Sequence, residues 1–331
     1  MILIFSRAND YSTFEVIKWL NHLEEFDVFR INCDDNNAIT FNARNGEFSL
    51  QVNGSWINLS EIGAVWYRKG FDWFGGQFPE VRIDDHSRLT TYLRNMARKE
   101  NQKLSEYLHY LIAQTVPVLG SAFKSDLNKL ITLDLAREVG LKTPECHVVN
   151  ERQFAADLLG EGREYIAKAM SDGVYLFESE IQRKGYFTYT ESLSVDSLAN
   201  YPDRIPPSFL QEKIDKSYEV RVFYLDGRFF AWAIFSQSNN QTSTDYRKYD
   251  SQTPNRVVPY SLPQSLEQKL SDLFQKIGLN TGSVDLMVDR ENDYYFLEIN
   301  PVGQFGALSK LTNYQLEVEI AKWLIEHAKP R

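Results

Sequence analysis

Two short apolar segments near the end of the chain, "GSVDLMVD" (282–289) and "YYFLEIN" (294–300), constrain the fold more than any other feature. Each reads as a buried strand that carries charged or amide side chains inside its apolar run. Strand side chains alternate faces, so Glu298 and Asn300 point one way and Leu297 and Ile299 the other. Burying oxygen-bearing groups without partners is costly, so each must meet a local donor or hold something positive. The turn residues "RENDY" between the segments predict an antiparallel pair. That pairing brings Asp285 beside Glu298 and Asn300. Two carboxylates and an amide oxygen suit a hard divalent cation, and Mg²⁺ normally sits on few protein oxygens together with phosphate.

Upstream residues supply the complementary charge. Lys129 opens a helical segment, and Lys168 lies in the strand "REYIAKAM". A lysine in an apolar strand calls for an anion nearby, unless its stem carries the charge out to solvent. "FLQEKI" (209–214) has the form of a hinge whose backbone would read an adenine edge. Arg221 in "YEVRVFY" shares a strand face with Glu219 and suits a phosphate or a carboxylate. Each element alone has an ordinary structural reading; their order along about 170 residues is what points to a nucleotide site.

Length and composition narrow the remaining classes. A chain of 331 residues forms two or three lobes, each large enough to bury a core. The net charge of −9 argues against general nucleic-acid binding. No apolar run approaches membrane-spanning length, and "MILIF" reads as a first strand rather than a signal segment. Cys33 and Cys146 lack metal-ligand spacing, so a reduced, cytoplasmic setting is expected. The five histidines show no paired spacing.

The periodicities predict an N-terminal strand–helix–strand layer. In its helix, "STFEVIKWLNHL", Ser12 or Thr13 is the cap and Phe14, Ile17 and Leu20 form the inner face. No G-x-G-x-x-G follows the first strand, which argues against a dinucleotide site there. Hairpins are expected at Asn53-Gly54 and Asp226-Gly227, and a long one around Lys184-Gly185. A capped helix is expected to stop at Gly140.

Over 120–310 the chain resembles an ATP-grasp enzyme. The resemblance is carried by "NKLITLDLAREVGLKTP", "IAKAM", "FLQEKI", "EVRVF", "SVDLMVD" and "FLEINPVGQF". The last of these is similar to the peptide maturases that make graspetides, the microviridin-type crosslinked peptides. "MILIFSRANDYSTFEVIKWL" and "VWYRKGF" look like their "grasp-with-spasm" branch. The resemblance implies an α/β ATP-grasp fold with an N-terminal parallel α/β domain at 1–119, a central lobe with a hairpin at 120–205, and a C-terminal lobe with the metal site at 206–331. It implies ATP and Mg²⁺, with two ions. Lys129 and Lys168 would bind phosphates, and Gln211, Glu212 and Ile214 would line the adenine pocket. Glu219 would sit near the ribose, and Asp285, Glu298 and Asn300 would hold Mg²⁺. Arg221 would steady the transferring phosphoryl, with Lys168 as its catalytic companion.

The segment after Lys168, "SDGVYLFESEIQRKGYF", departs from the short glycine-rich phosphate loop of a generic ATP-grasp protein, because Gly173 and Gly185 are far apart. The resemblance makes this hairpin a docking site for the leader of a precursor peptide, with Tyr175, Arg183 and Tyr186 in contact. Arg68 and Lys69 would receive acidic side chains of the core. The implied reaction phosphorylates an Asp or Glu side chain of the precursor. A Ser or Thr hydroxyl, or a Lys amine, then displaces phosphate to close an ω-ester or ω-amide ring. The implied assembly is a homodimer, with no nucleic-acid or membrane partner. Two alternatives stay open: an ATP-grasp amino-acid or small-peptide ligase, and a non-catalytic nucleotide-binding protein.

Overall fold

The computed structural model describes the chain except for residues 25, 36–38, 45–46, 70–86, 161, 172–174, 178–184, 188–189, 237–254 and 329–331. The chain packs into two compact units. The first comprises Met1–Asp126, Leu279–Gly282 and Asn300–Arg331; the second comprises Leu127–Gly278 and Ser283–Ile299.

The first unit begins with β1 (Ile2–Ser6), five consecutive buried residues, then α1 (Tyr11–Leu23) and β2 (Val28–Asn32). β1 and β2 pair in parallel, as the strand–helix–strand pattern predicts. The helix is turned relative to the expectation. Its cap is Asp10, whose carboxylate accepts from the Thr13 amide at 3.0 Å, and its inner face is Thr13, Val16 and Leu20. Phe14 lies outside, half exposed, with the Lys18 ammonium 4.6 Å from its ring centroid. Asp10 wins the cap because it also faces a buried cation, which neither Ser12 nor Thr13 does.

β3 (Ile39–Arg44), β4 (Glu47–Val52) and β5 (Ser55–Asn58) form an antiparallel sheet. The β4–β5 turn falls at Asn53 (φ 50°) and Gly54 (φ 88°), a pair of positive φ values that this dipeptide tolerates. β6 (Ala64–Tyr67), the long helix α2 (Ser87–Thr115) and β7 (Val118–Leu119) complete a four-stranded parallel sheet of order β2-β1-β6-β7. Leu3, Phe5, Val65 and Tyr67 meet Leu108 and Ile112 of α2 in one core. Each large apolar side chain so buried contributes about 1.5–3 kcal/mol.

The second unit begins with α3 (Lys129–Glu138). Its cap, Asn128, accepts from the amides of Leu130 and Ile131, and Gly140 (φ 78°) follows as the stop. Next come β8 (Cys146–Glu151), α4 (Arg152–Gly160) and β9 (Tyr165–Lys168). The long hairpin is present as β10 (Tyr175–Phe177) paired antiparallel with β11 (Gly185–Phe187). β12 (Glu191–Ser192), α5 (Val195–Leu198) and β13 (Arg204–Glu212) complete a sheet of order β12-β9-β13-β8.

A second sheet in this unit has order β16-β15-β14-β17-β18. Its strands are β14 (Lys216–Leu225), β15 (Arg228–Phe235), β16 (Arg256–Tyr260), β17 (Thr281–Asp289) and β18 (Tyr294–Asn300). The β14–β15 turn lies at Asp226 and Gly227, both at positive φ. α6 (Gln264–Ile277) packs on α3, and its Phe274 stacks 4.1 Å from Tyr224 of β14. The chain ends, in the first unit, with α7 (Gly306–Thr312) and α8 (Leu316–Ala328), which packs on α1 and β6.

Candidate functional site

Residues 213–215 connect β13 of one sheet to β14 of the other, where the sequence predicts a hinge. Beside this connection is a small cavity of about 20 Å³. Ile166, Ile214, Met287 and Leu297 give it apolar walls, and Gln211, Glu212 and Lys216 give it a polar rim. Its lining, apolar with a few convergent polar groups, has the chemistry that a flat heteroaromatic ring requires, and the slot must widen to admit one. The expected pocket residues Gln211, Glu212 and Ile214 are thus brought together. Their order follows from the strand: Gln211 is buried, while the Glu212 carboxylate accepts from the Glu145 amide at 3.2 Å.

Lys168 ends β9 and donates to the Gln211 side-chain oxygen at 2.8 Å. Gln211 in turn donates to the Cys146 sulfur at 3.5 Å. Burial pushes the Cys146 thiol up, against the Gln211 hydrogen bond and the charges of Arg137 and Lys168. Lys129 is the first residue of α3. Its ammonium lies 3.1 Å from the Glu298 carboxylate and donates to the Ala169 carbonyl at 3.2 Å. One lysine therefore ties the start of α3 to β18 and to the residue just after Lys168.

Arg221 on β14 lies 3.3 Å from Asp285 on the neighbouring β17 and donates to the Ser283 hydroxyl at 3.4 Å. Glu219, two residues before it, is buried in an ion pair with Lys216 and accepts from the Ser236 hydroxyl at 3.4 Å. Asn300 closes β18, and its side-chain oxygen accepts from the amides of Val302 and Gly303 at 3.1 and 3.2 Å. It shapes the turn that follows the strand.

Glu298 and Asp285 are thus each matched to a cation from a different element. These pairs are partly open to solvent: side-chain exposure is 27 % for Lys129, 32 % for Glu298, 14 % for Arg221 and 24 % for Asp285. Pairs of this exposure contribute only about 0–1 kcal/mol to stability. Among the described residues no group of three or more His, Cys, Asp or Glu converges, so a transition-metal centre finds no ligand set there. Two carboxylates next to ammonium and guanidinium groups fit Mg²⁺ carried on a polyphosphate, which needs few protein oxygens and several cations.

Arg68 and Lys69 lie in the first unit. Arg68 is 2 % exposed, with its guanidinium 3.2 Å from Asp10, donating to the carbonyls of Val302 and Gly303, and 5.0 Å from the Phe305 ring centroid. Lys69 reaches the same Asp10 carboxylate at 3.0 Å and is more exposed. Tyr175 and Tyr186 fall in the β10–β11 hairpin, where Tyr175 pairs with Phe187 and Tyr186 with Leu176. Arg183 is outside the described residues.

Sequence reasoning missed Ser283, Lys216, Met287 and Leu297. Alternation supplies the signal for one of them, since Met287 is two residues beyond Asp285 on one strand. Lys216 shows no signal, because a lysine at a strand start reads as solvated.

No family model and no curated protein matches the chain, but solved structures match it over its full length. The Chryseobacterium gregarium RiPP-associated ATP-grasp ligase, in complex with ADP and a leader and core peptide, is 24 % identical with a TM-score of 0.80, over 100 % of this chain and 97 % of that one. The macrocyclase MdnC from Microcystis aeruginosa MRC, bound with precursor peptide MdnA, is 24 % identical with a TM-score of 0.74, over 98 % and 99 %. The ATP-grasp ligase PsnB, complexed with minimal precursor, Mg and ADP, is 17 % identical with a TM-score of 0.74, over 99 % and 97 %. With both its parallel N-terminal layer and its paired sheets matched from end to end, the chain has the fold of these ATP-grasp ligases.

Proposed function

We propose that this chain is an ATP-dependent macrocyclase that crosslinks a ribosomally made precursor peptide through side-chain esters or amides. The observation that carries the reading is the double ion pairing, Lys129 with Glu298 and Arg221 with Asp285, on strands that also line the apolar cavity. These pairs add little to stability, and they hold the charges that a nucleoside triphosphate needs.

In this reading the adenine lies between Ile166, Ile214, Met287 and Leu297, with Glu219 toward the ribose. Lys129 and Lys168 turn from Glu298 and Gln211 to the phosphates, and Arg221 faces the transferring phosphoryl group with Lys168. Asp285 and Glu298, with Asn300 two residues on, hold Mg²⁺ as two ions. The bound metal supplies charge neutralisation on the triphosphate. The peptide carboxylate becomes an acyl-phosphate, and its capture by a hydroxyl or amine depends on positioning.

Along the chain, the reading gives 1–119 to the peptide-facing domain, 120–205 to the phosphate and leader segment, and 206–331 to the hinge and acidic residues. The C. gregarium ligase and MdnC were solved with leader and core or precursor peptides, which supports a peptide as the partner here. The β10–β11 hairpin, with Tyr175, Tyr186 and Arg183, is the leader-docking segment of this reading. Lys69, beside the buried Arg68, is its contact for acidic core side chains. The protein works in the cytoplasm as a homodimer. No described helix is long and apolar enough to cross a membrane.

Trapping the activated carboxylate tests the reading. With ATP, Mg²⁺, a candidate precursor and hydroxylamine, the peptide should gain hydroxamates at Asp or Glu side chains. ADP release without any peptide hydroxamate or ring would reduce the protein to a nucleotide-binding or small-molecule role.

A further inference from the structure

In the sheet β12-β9-β13-β8, Gln211 stands directly opposite Cys146 on one side and Ile166 on the other. Lys168 pairs with Phe209, so it is one diagonal step from Gln211. Paired and diagonal residues of neighbouring strands share a face, and these side chains therefore form one row. Ile166 and Gln211 of that row line the cavity. Gln211 is 2 % exposed, so an amide group left unmet there is costly.

The hydrogen bonds along this row run in one direction. The Lys168 ammonium, a donor only, gives to Oε1 of Gln211 at 2.8 Å. Nε2 of Gln211 gives to Sγ of Cys146 at 3.5 Å. The Cys146 thiol gives its single hydrogen to the Pro144 carbonyl at 3.3 Å, which leaves the sulfur lone pairs to receive Gln211. Burial pushes that thiol up, so it keeps the hydrogen it donates. Turning the Gln211 amide end for end would break both of its contacts. Its nitrogen would face an ammonium, and its oxygen would face a sulfur whose hydrogen is committed elsewhere.

When Lys168 turns to the phosphates of a bound nucleotide, one of the two holds on this amide goes with it. Cys146 is then the contact that tells the two ends of the amide apart. We propose that Cys146 is a positioning residue for nucleobase choice: it keeps the Gln211 nitrogen turned to β8 and the Gln211 oxygen turned to the β9 side, where Ile166 walls the cavity. An acceptor in that place receives an amino group on a purine and opposes a keto oxygen. The base preference of the site is thus set by a thiol that is not itself part of the cavity lining. The inference rests on the nucleotide reading and adds the residue that sets which base is taken.

Calorimetry of the full chain with Mg²⁺ and either ATP or inosine triphosphate tests it. The two nucleotides differ at the purine 6-position, amino in one and keto in the other. Their affinity ratio is read within one protein, so a general loss of stability cancels. The unmodified protein should prefer ATP by about tenfold or more. Cys146→Ala and Cys146→Val remove the acceptor with opposite changes in volume. Both should cut the preference to about threefold or less, because the amide then settles either way round. Cys146→Ser keeps an acceptor and a single hydrogen, and should hold the preference within about threefold of the unmodified protein. An unchanged ratio in the Ala and Val variants overturns the inference. A loss in Cys146→Ser as large as in Cys146→Ala assigns the effect to packing and also overturns it. An unmodified protein that binds both nucleotides alike overturns it and leaves nucleotide binding standing. Binding of neither nucleotide overturns the nucleotide reading together with the role of Cys146.

Discussion

Lys129 joins Glu298 at 3.1 Å and the Ala169 carbonyl at 3.2 Å, so a single ammonium bridges the start of α3, the end of β9 and strand β18. Three segments remote in sequence meet at one charge, and that charge is balanced by a carboxylate on a strand flanking the cavity. With nucleotide bound, the same ammonium has phosphate oxygens to choose from. Lys129→Met should therefore raise the KM for ATP at least tenfold, while the unfolding free energy changes by no more than the about 1 kcal/mol expected of an exposed pair. A large loss of stability with an unchanged KM would make Lys129 a structural residue.

The cavity walls make a separate prediction. Met287→Trp keeps an apolar surface but fills the space between Ile166, Ile214 and Leu297. ATP binding, followed by calorimetry, should weaken at least tenfold, and peptide binding should stay within about threefold, consistent with the loss of one well-packed ring contact. Equal weakening of both ligands would place the peptide in this cavity.

Asp10 and Arg68 form the opposite kind of pair, each 2 % exposed in its side chain. Removing one partner leaves an unpaired buried charge, so Arg68→Met should cost about 3–5 kcal/mol in denaturant unfolding. Burial raises the Asp10 carboxyl, but Arg68, the Thr13 amide and Lys69 outweigh it and hold the group below its usual range. With a depressed folded value, the stabilisation is complete above the unfolded value of about 3.9 and is lost as pH falls through the lower folded value. Asp10→Asn should therefore flatten the acid side of the stability profile. A profile unchanged by the substitution would contradict the assignment.

Much of this was legible in the sequence. The N-terminal β–α–β layer followed from one apolar run and one helical period, and Asn53-Gly54 and Asp226-Gly227 marked their turns because few other dipeptides accept positive φ at both positions. Lys129, Lys168, Arg221, Asp285 and Glu298 stood out because each is a charge in an apolar or capped context. Which cation meets which carboxylate was not legible, since strand order sets it: β14 lies beside β17, while Lys129 arrives from a helix more than 150 residues before Glu298. The inner face of α1 was misjudged for a related reason. Phe14 is more apolar than Val16, but the cap at Asp10 is drawn toward buried Arg68, and that fixes the rotation of the helix. Periodicity reports that a helix has a face; long-range charge decides which one.

The most direct test is intact-mass spectrometry of a candidate precursor peptide incubated with ATP and Mg²⁺, with the unmodified protein and with Glu298→Gln in parallel. The unmodified protein should lower the peptide mass by one water for each ring closed. Glu298→Gln should slow that loss by at least 100-fold, on the order of what one charge-stabilising group contributes, while still binding the peptide. Mass loss at the full rate with Glu298→Gln, or mass loss without ATP, would contradict the account.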